Sequence, residues 1–569
     1  MRKNVFPLFL LFIGTLTLVA QVATSNKGMI PSHYDRNALT VLILDNNGAY
    51  IHDIKNATGS LAIPEKYDDN SQNVKWLASE SNQNQILQAI DRSKLANKIM
   101  ASLFSRSSNG DFDMTLIGKR GLYNATVEEM MKASASKIGL NKIKDTGRSL
   151  VNNSYIQVID LRNVVSMQEY YDAQDAANRK SAAYAGTVFK PVDRTQNGWK
   201  GDVLSYLYRI EPSNVDSLYD KMWIYSDDNN AVREYKKTLF DNSKFGFSYV
   251  TSVKSQANGT QYNPGQLLAP TVQLGREALF SKLLNSALIS ALYEIETNYE
   301  PFRVKTSVYA VQPIRAKIGT KEGLAVDQRF FVLENMQNSK GETTSQRKGV
   351  VFVAKVENNS IVATTATTEQ SRFYQTAGKK LEPGMTMQQR NDIGLGLSAG
   401  YGSLIGGMSG FYLKAEENIA TLSHFVPGNS KNMIKITQLK AFFSAAFDAG
   451  NYGGYDYSFT RMQFGISKGF YFLRNFSVAP FVSYGVEAAK SPNWTDDTSV
   501  NTAFLNIGAY ATVNILYNLQ AVGTLNLYNL VGNAYQKVGD VTSDYAHTYD
   551  YYFNGRSGLA IEVGIRYEL

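Results

Sequence analysis

The last third of the chain alternates apolar and polar residues with a period of two, and this pattern limits the possible folds more than any other feature. Between residues 505 and 517 every second residue is apolar, and most of the residues between them are polar or small. The final segment, 559–569, repeats the pattern. Because successive side chains of a β-strand point to opposite faces, one face of each segment is apolar along its whole length. Such segments exceed the roughly five or six residues usual for soluble strands.

Eight alternating segments follow one another from about Asp392 onward: 393–401, 410–420, 438–449, 459–472, 476–488, 503–517, 519–531 and 558–569. Very short connections, at 473–475 and Asn518, alternate with the long polar connections 491–501 and 532–557. This alternation predicts an antiparallel, up-and-down barrel of eight strands in the region 391–569.

Three features depart from a regular barrel. Pro480 falls inside a predicted strand and removes a backbone donor, so we expect a bulge or a strand boundary there. Lys468 falls on the apolar face of its strand, a position tolerable only near a membrane interface. The connection around 422–433 is long for a turn on the side of the short connections.

The strand count, the alternating connections and a last strand with Tyr567 near its end resemble the small OmpA/OmpX-type outer-membrane barrels. The resemblance covers about the last third of the chain. It implies a transmembrane barrel surrounded by outer-membrane lipid and inserted by the barrel-assembly machinery. An OmpA-type barrel is normally followed by a peptidoglycan-binding domain, and we expect none after this barrel. We therefore expect any contact with peptidoglycan to come from the preceding region.

The N-terminus has the features of an export signal. Met1-Arg2-Lys3 precedes an apolar stretch at 5–20, and Ala20 and Ala23 offer cleavage positions, which predicts a signal peptide at 1–23. The alternative, a membrane anchor, needs about 20 apolar residues. No later segment approaches about 18 consecutive apolar residues, so we expect membrane insertion through the barrel alone. With the C-terminus facing the periplasm, an even strand count places 27–390 in the periplasm of a Gram-negative envelope.

The region 27–300 mixes strands and helices, either as one α/β region or as two subdomains, 27–165 and 166–300. Its predicted strands are 39–44, 114–122, 155–161, 203–210 and 245–253, and its predicted helices are 85–104, 127–138 and 274–297. The region 301–390 is predicted to be a small SH3- or OB-like β module. Gly319, Gly323, Gly349 and Pro383-Gly384 are expected to supply its turns.

The order of elements in the first 160 residues is similar to the periplasmic α/β domains of the curli-secretion-channel and flagellar-assembly type. In those domains a strand, a helix, a strand ending in Arg and a second helix precede a strand with a characteristic Tyr. Arg120 and Tyr155 would take those places. The alternative is an unrelated α+β domain.

Sequence motifs for catalysis or cofactors are sparse. Cysteine is absent, and His33, His52, His424 and His547 show no metal-ligand spacing, so we expect no metal site, no cofactor and no enzymatic activity. A net charge of +8 without a basic cluster does not favour nucleic-acid binding. Asp544, His547 and Asp550 in the last long connection could activate water. The favoured interpretation of that connection is a polar surface-contact loop with Tyr545, His547, Tyr549 and Tyr551.

Charged residues occur at positions that face the predicted barrel interior: Lys414, Glu416, Lys440, Arg461, Glu487, Glu562 and Arg566. Eight strands leave an interior just wide enough for side chains, so these charges are expected to pair into a plug. The sequence therefore predicts a non-enzymatic outer-membrane anchor or scaffold whose periplasmic domains dock unidentified envelope proteins or peptidoglycan. A transport or secretion component with a small channel and a surface-loop binding protein are the alternatives.

Overall fold

The computed structural model describes residues 36–70, 72, 75–116, 135–266, 269–337, 343–359, 370–404, 409–424, 434–452, 454–494, 498–538, 541–544, 553 and 555–569. Within these ranges the chain forms three consecutive units: an α/β unit, an all-β module and a closed β-barrel. The fold is therefore multidomain, and each unit contains one β-sheet.

The α/β unit is built on a six-stranded sheet in the order β2-β1-β4-β5-β6, with β3 also paired to β1. The central strand β1 is parallel to β2, β3 and β4, whereas β5 and β6 continue the sheet antiparallel. The strands are β1 (Ala38–Asp45), β2 (Asp68–Asp69), β3 (Trp76–Ala78), β4 (Ser154–Ser166), β5 (Gln196–Ile210) and β6 (Phe247–Tyr262). One sheet therefore joins described strands from both sides of residue 165, between residues 38 and 262.

Helices cover both faces of this sheet. They are α1 (Ile51–Ala57), α2 (Gln83–Arg92), α3 (Leu95–Leu103), α4 (Lys137–Asn152), α5 (Met167–Ala185), α6 (Asn214–Ser217), α7 (Asn230–Asn242) and α8 (Arg276–Asn298). One core lies between the sheet and α2, α3 and α4, and the other lies between the sheet, α1 and α8. Side chains on both faces of the central strands are buried, so helices must cover both faces and the unit has three layers.

Helix α8 is the longest helix of the unit. Its length and composition alone would suit a membrane-crossing helix. However, most of its apolar side chains lie in the core, and Leu283, Leu284 and Leu288 are completely buried against the sheet. It is therefore a core helix, and the predicted helix at 274–297 is confirmed within two residues.

The structure confirms the predicted strands at 39–44, 155–161, 203–210 and 245–253, and all four are longer than predicted. One prediction was wrong. The helix at 85–104 is interrupted at Lys94, whose φ of 51° is left-handed and separates α2 from α3. Most of the predicted strand 114–122 lies outside the described residues; at its start the Asp113 side chain accepts the Thr115 amide at 2.9 Å, and residues 115 and 116 are helical.

Part of the predicted helix at 127–138 lies outside the described residues. Helix α4 begins only at Lys137, where the Ser136 side chain accepts the Gly139 amide at 3.1 Å. Arg120 also lies outside the described residues. Tyr155 is buried in β4, where its ring packs against Phe302 with centroids 4.8 Å apart.

The all-β module contains seven strands in the order β7-β13-β10-β11-β12-β9-β8, with antiparallel neighbours. Its strands are β7 (Lys305–Ser307), β8 (Ala310–Val311), β9 (Ile314–Ala316), β10 (Arg329–Gln337), β11 (Thr343–Lys355), β12 (Ser371–Gly378) and β13 (Thr386–Arg390). Phe330, Val332, Val351 and Val353 are buried in its core. Gly384, with φ at 89°, supplies the left-handed turn expected from Pro383-Gly384.

The C-terminal unit is a closed antiparallel barrel of eight long strands, since β17 pairs with β19 and β14 pairs with β23. The long strands are β14 (Leu395–Leu404), β15 (Ser409–Asn418), β16 (Leu439–Tyr452), β17 (Tyr455–Lys468), β19 (Phe476–Lys490), β20 (Thr498–Asn514), β21 (Leu519–Val538) and β23 (Gly558–Glu568). Two short strands, β18 (Phe470–Leu473) and β22 (Val541–Asp544), extend hairpins, and α9 (Ile419–Ser423) follows β15. All eight predicted barrel strands are confirmed.

Two details of the barrel differ from simple expectation. Pro480 stays within β19, but it lies opposite Lys468-Gly469, where the partner strand changes from β17 to β18. The missing amide therefore falls at a break in pairing, as expected. Strands β20 and β21 extend several residues into the predicted long connections 491–501 and 532–557, because residues 498–501 and 535–538 continue to pair with each other.

Candidate functional site in the barrel interior

The outer surface of the barrel is apolar on every side. Each of the eight long strands carries at least two exposed large apolar side chains, for example Phe464, which is 63% exposed, and Ile565, which is 57% exposed. At outward positions, the charged residues Glu417, Lys468 and Lys490 lie in the last two residues of their strands. Lys468 bends toward the backbone and donates to the Gly469 carbonyl at 3.0 Å. This surface requires an apolar solvent.

The two ends of the barrel differ. One, named here the turn end, carries the connections 473–475 and 515–518 and the C-terminal residue Leu569. The opposite end, named the loop end, carries the connections after β19 and β21. The chain passes from the module into the barrel at the turn end, because β14 starts there.

Near the loop end, Glu487 lies between two arginines in the barrel interior. Its carboxylate is 2.7 Å from Nη2 of Arg461 and 2.5 Å from Nη2 of Arg556, and Arg556 also pairs with Asp448 at 3.1 Å. Glu487 and Arg556 are completely buried. The Arg556 guanidinium also lies over the Phe459 ring at 3.6 Å. Two guanidinium groups and two carboxylates therefore form one network in the barrel interior at this level.

A second cluster fills the barrel near the turn end. Glu416 is 3.0 Å from Lys414 Nζ and 3.3 Å from Arg566 Nε, and it accepts the Tyr510 hydroxyl at 2.8 Å. Arg566 also approaches Glu568 at 3.4 Å. The Lys414 ammonium lies over the Phe442 ring at 4.2 Å. Charged and aromatic side chains therefore pack across the interior.

The structure places all seven sequence-predicted interior charges inside the barrel or at its mouth. Five of them form the ion pairs described above. Lys440 is buried beside Arg566 and Glu568, where a cavity of about 20 Å³ remains. Glu562 accepts the neutral Tyr528 hydroxyl at 3.2 Å.

Sequence reasoning missed Arg556 and Asp448. Arg556 follows the last long connection and precedes the strand, so no periodic pattern indicated that it points inward. Asp448 occupies an inward position near the end of β16 and could have been found from the strand alternation.

The all-β module covers the turn end of the barrel. Its Asp327 is completely buried and accepts three hydrogen bonds: from the Tyr374 hydroxyl at 2.6 Å, from Asn418 Nδ2 at 2.9 Å and from the Gln438 amide at 2.5 Å. Asn418 ends β15, and Gln438 directly precedes β16. Burial and the nearby Asp327 raise the pKa of Tyr374 well above its usual value, so its hydroxyl stays a donor.

The long connection between β15 and β16 therefore serves as a docking element for the module. Besides Asn418 and Gln438, the His424 ring nitrogen lies 3.0 Å from the Val326 carbonyl oxygen. This explains why the connection around 422–433 is longer than a simple turn. Residues 425–433 lie outside the described part.

Further polar contacts join the three units. Arg329 of the module is 2.9 Å from Asp392, which precedes β14. Glu296 of α8 accepts the Tyr67 hydroxyl at 2.8 Å and the Gln389 side-chain amide at 3.2 Å. A cleft of about 520 Å³ lies between α8, the module and residues 389–393. The three units thus contact one another through buried polar groups.

The junction predicts a pH dependence. Burial raises the pKa of Asp392 to about 6. The neighbouring carboxylates of Glu568 and Asp327 also raise it, whereas the guanidinium groups of Arg329 and Arg390 lower it. The folded state therefore binds the Asp392 proton more tightly than the unfolded state does. The stability that protonated Asp392 contributes is complete below about pH 4 and is lost as the pH rises through 6.

When the pH is raised from 4.5 to 7, we therefore expect the deprotonation of Asp392 to lower the free energy of unfolding by roughly 2 kcal/mol. Denaturant midpoints of the wild type and Asp392→Asn, measured at both pH values, test this. The asparagine variant should lose this part of the pH dependence. Parallel pH profiles of the two proteins would contradict the assignment.

The candidate loop residues Tyr545, His547, Tyr549 and Tyr551, together with Asp550 and His33, lie outside the described residues. Over the ranges that the structure describes, no group of three or more His, Asp or Glu side chains is arranged to hold a metal ion.

No family model matches the chain, and no curated protein matches it. The chain is similar to a solved major outer membrane protein of Thermus thermophilus, with 14% identity over 31% of this chain and 99% of that chain and a TM-score of 0.21. It is also similar to Ail, the attachment invasion locus protein of Yersinia pestis, with 14% identity over 31% of this chain and 97% of that chain and a TM-score of 0.19.

An anion-selective porin from Comamonas acidovorans matches 66% of this chain and 89% of its own chain, at 10% identity and a TM-score of 0.10. The eight strands and their closure are established by the pairing within this chain. The C-terminal third is a closed antiparallel barrel of eight long strands.

Proposed function

We propose that this protein is a non-enzymatic outer-membrane anchor whose barrel holds the other two units at the membrane. The apolar outer surface of all eight long strands carries this proposal. Backbone groups in a closed barrel are paired with neighbouring strands, so the barrel meets the requirement for crossing a bilayer. Charged outward residues lie at the strand ends, where they can reach the headgroups.

The interior supports an anchor more than a channel. Two layers of ion pairs, centred on Glu487 and Glu416, cross the lumen, and the module covers the turn end. The described cavity beside Lys440 is only about 20 Å³, enough for about one water molecule.

The position of the module supports a periplasmic placement of residues 36–390. In outer-membrane barrels the short turns face the periplasm and the longer connections face outward. The module contacts the turn end, for example where the Gly378 amide donates to Asn475 at 2.8 Å and the Tyr517 hydroxyl donates to the Arg347 carbonyl at 2.7 Å.

The α/β unit offers surfaces for envelope partners. Helix α5 packs against the sheet through Met167 and Tyr171, but most of its C-terminal half is exposed. Tyr184 is 97% exposed at the end of that helix, and Val188 after it is 87% exposed. Exposed aromatic and branched side chains in this arrangement suit protein docking.

Limited proteolysis of intact cells and of spheroplasts tests the membrane placement. We expect residues 36–390 to be protected in cells and cleaved in spheroplasts, and the barrel to migrate differently on gels before and after boiling. Cleavage of the α/β unit in intact cells would contradict the proposed orientation.

Planar-bilayer recordings of the purified full-length protein test the anchor against a channel. Because the ion pairs close the lumen, we expect no single-channel steps above those of bilayers without protein. A porin of known conductance, reconstituted in the same lipid, serves as the positive control. Reproducible steps from the wild-type protein would favour the transport alternative.

A further inference from the structure

Three arginines of the module converge on one aromatic ring. The guanidinium carbon of Arg347 lies 4.2 Å from the centroid of the Phe331 ring, and those of Arg390 and Arg329 lie 5.9 and 6.0 Å from it. Strand pairing explains the convergence. Arg329, Phe331 and Leu333 are alternate residues of β10 and share one face. Arg390 of β13 is opposite Arg329, and Arg347 of β11 is opposite Leu333. Paired residues of an antiparallel sheet point to the same face.

The charges of this cluster are not balanced. Arg329 pairs with Asp392 at 2.9 Å. Within the described residues, neither Arg347 nor Arg390 has a carboxylate within ion-pair distance, although both are half-buried. Burial and the neighbouring arginines lower the pKa of both groups. Half-buried guanidinium groups of like charge are more favourable when an anion lies between them.

The cluster lies at the apolar rim of the barrel. The Arg347 guanidinium is also 4.5 Å from the ring of Tyr517, whose hydroxyl donates to the Arg347 carbonyl. Tyr517 belongs to the connection 515–518. In the same connection Ile515 and Leu516 are 58% and 64% exposed. The Arg347 end of the cluster is therefore next to exposed apolar side chains at the rim of the barrel.

We propose that Arg347 and Arg390 bind the phosphate group of a membrane phospholipid whose acyl chains lie along Ile515 and Leu516. The planar guanidinium groups match the geometry of phosphate oxygens, and Phe331 holds one face of them. The site rests on the proposed membrane placement of the barrel, and it would fix the module against the membrane surface. Free inorganic phosphate shares the same chemistry and is the competing source of the anion.

Calorimetric titration of the full-length protein in detergent micelles with dihexanoyl phosphatidylglycerol tests the site. The double variant Arg347→Gln/Arg390→Gln should bind this lipid at least about tenfold more weakly. Arg92→Gln/Lys98→Gln, which removes two exposed positive charges from α2 and α3, is the matched charge control and should bind as the wild type does. Dihexanoyl glycerol, which lacks the phosphate, should not bind preferentially to the wild type. The gel mobility of unheated samples verifies that each variant is folded.

Each remaining outcome decides against the lipid site. Equal lipid binding by the wild type and the double variant would overturn it, as would no binding by the wild type. Displacement by inorganic phosphate at concentrations as low as those of the lipid would assign the site to a free anion. Flotation with liposomes separates the two proposals: a wild-type protein that does not float contradicts the membrane anchor, whereas one that floats without phosphate-dependent lipid binding contradicts only this site.

Discussion

Replacing Glu487 by alanine is expected to lower the free energy of unfolding of the barrel by about 3–5 kcal/mol. Glu487 is completely buried, and its carboxylate is the anionic partner of both Arg461 and Arg556. These arginines are 1% and 0% exposed, so neither can turn its charge into solvent. The substitution leaves two guanidinium groups at close distance in the barrel interior, and only Arg556 keeps a second carboxylate, that of Asp448.

Denaturant titration of the full-length protein in detergent micelles, followed by the mobility of unheated samples, measures this effect. Glu562→Ala is the matched control, because it removes a carboxylate from the same interior whose described partner is the neutral Tyr528 hydroxyl. That variant should lose about 1–2 kcal/mol. If Glu487→Ala unfolds at the wild-type denaturant concentration, the ion pairs do not hold the barrel closed.

A quadruple variant separates isolated charge from lost packing. Replacing Arg461 and Arg556 by methionine and Asp448 by asparagine, in addition to Glu487→Ala, removes all four charges of the network while retaining much of the side-chain volume. Buried ion networks can often be exchanged for apolar groups without net loss of stability. We therefore expect the quadruple variant to be more stable than Glu487→Ala alone. A further loss would instead show that the guanidinium packing on Phe459 and Tyr528 is the main contribution.

The period of two in the sequence was sufficient to predict every long strand of the barrel, because side-chain alternation is a local property of an extended backbone. It also identified inward charges such as Arg461 and Glu487, since each lies one residue from an outward apolar position. The same reasoning located the irregularity at Pro480. These features depend on neighbouring residues only.

The remaining parts depend on contacts between segments distant in sequence. Arg556 reaches Glu487 and Asp448, which are 69 and 108 residues away, and its own segment has no alternation. The interruption at Lys94 was missed because apolar residues continue at helical spacing on both sides of it. Docking of the module could not be predicted either, since Asp327 is an ordinary loop residue until its three donors are assembled.

Asp327 is the group on which the contact between module and barrel depends most. Its φ of 61° places it in the left-handed region, which aspartate tolerates better than most residues. One donor, Tyr374, belongs to the module, and the other two, Asn418 and Gln438, belong to the barrel and its connection. A single buried carboxylate thus joins the two units.

Asp327→Ala is therefore expected to weaken the junction by about 3 kcal/mol or more, because three buried donors lose their acceptor and alanine is strained at positive φ. Burial raises the pKa of Asp327, so part of the cost of placing a charge there is relieved in the variant. The three unpaired donors exceed this relief. Hydrogen exchange of the Gln438 amide, which donates directly to Asp327, should accelerate in the variant.

Asp456→Ala is the matched control for this prediction, since that aspartate accepts a hydrogen bond from Asn451 in an exposed hairpin at the loop end. Its substitution should leave exchange of the Gln438 amide unchanged. In Asp327→Ala, protease cleavage between the module and the barrel should also become faster, while the unheated barrel keeps its gel mobility. If the Gln438 amide remains as protected as in the wild type, the module is held on the barrel by its apolar contacts, such as the packing of Tyr374 on Tyr471 at 5.5 Å, and the carboxylate is not required.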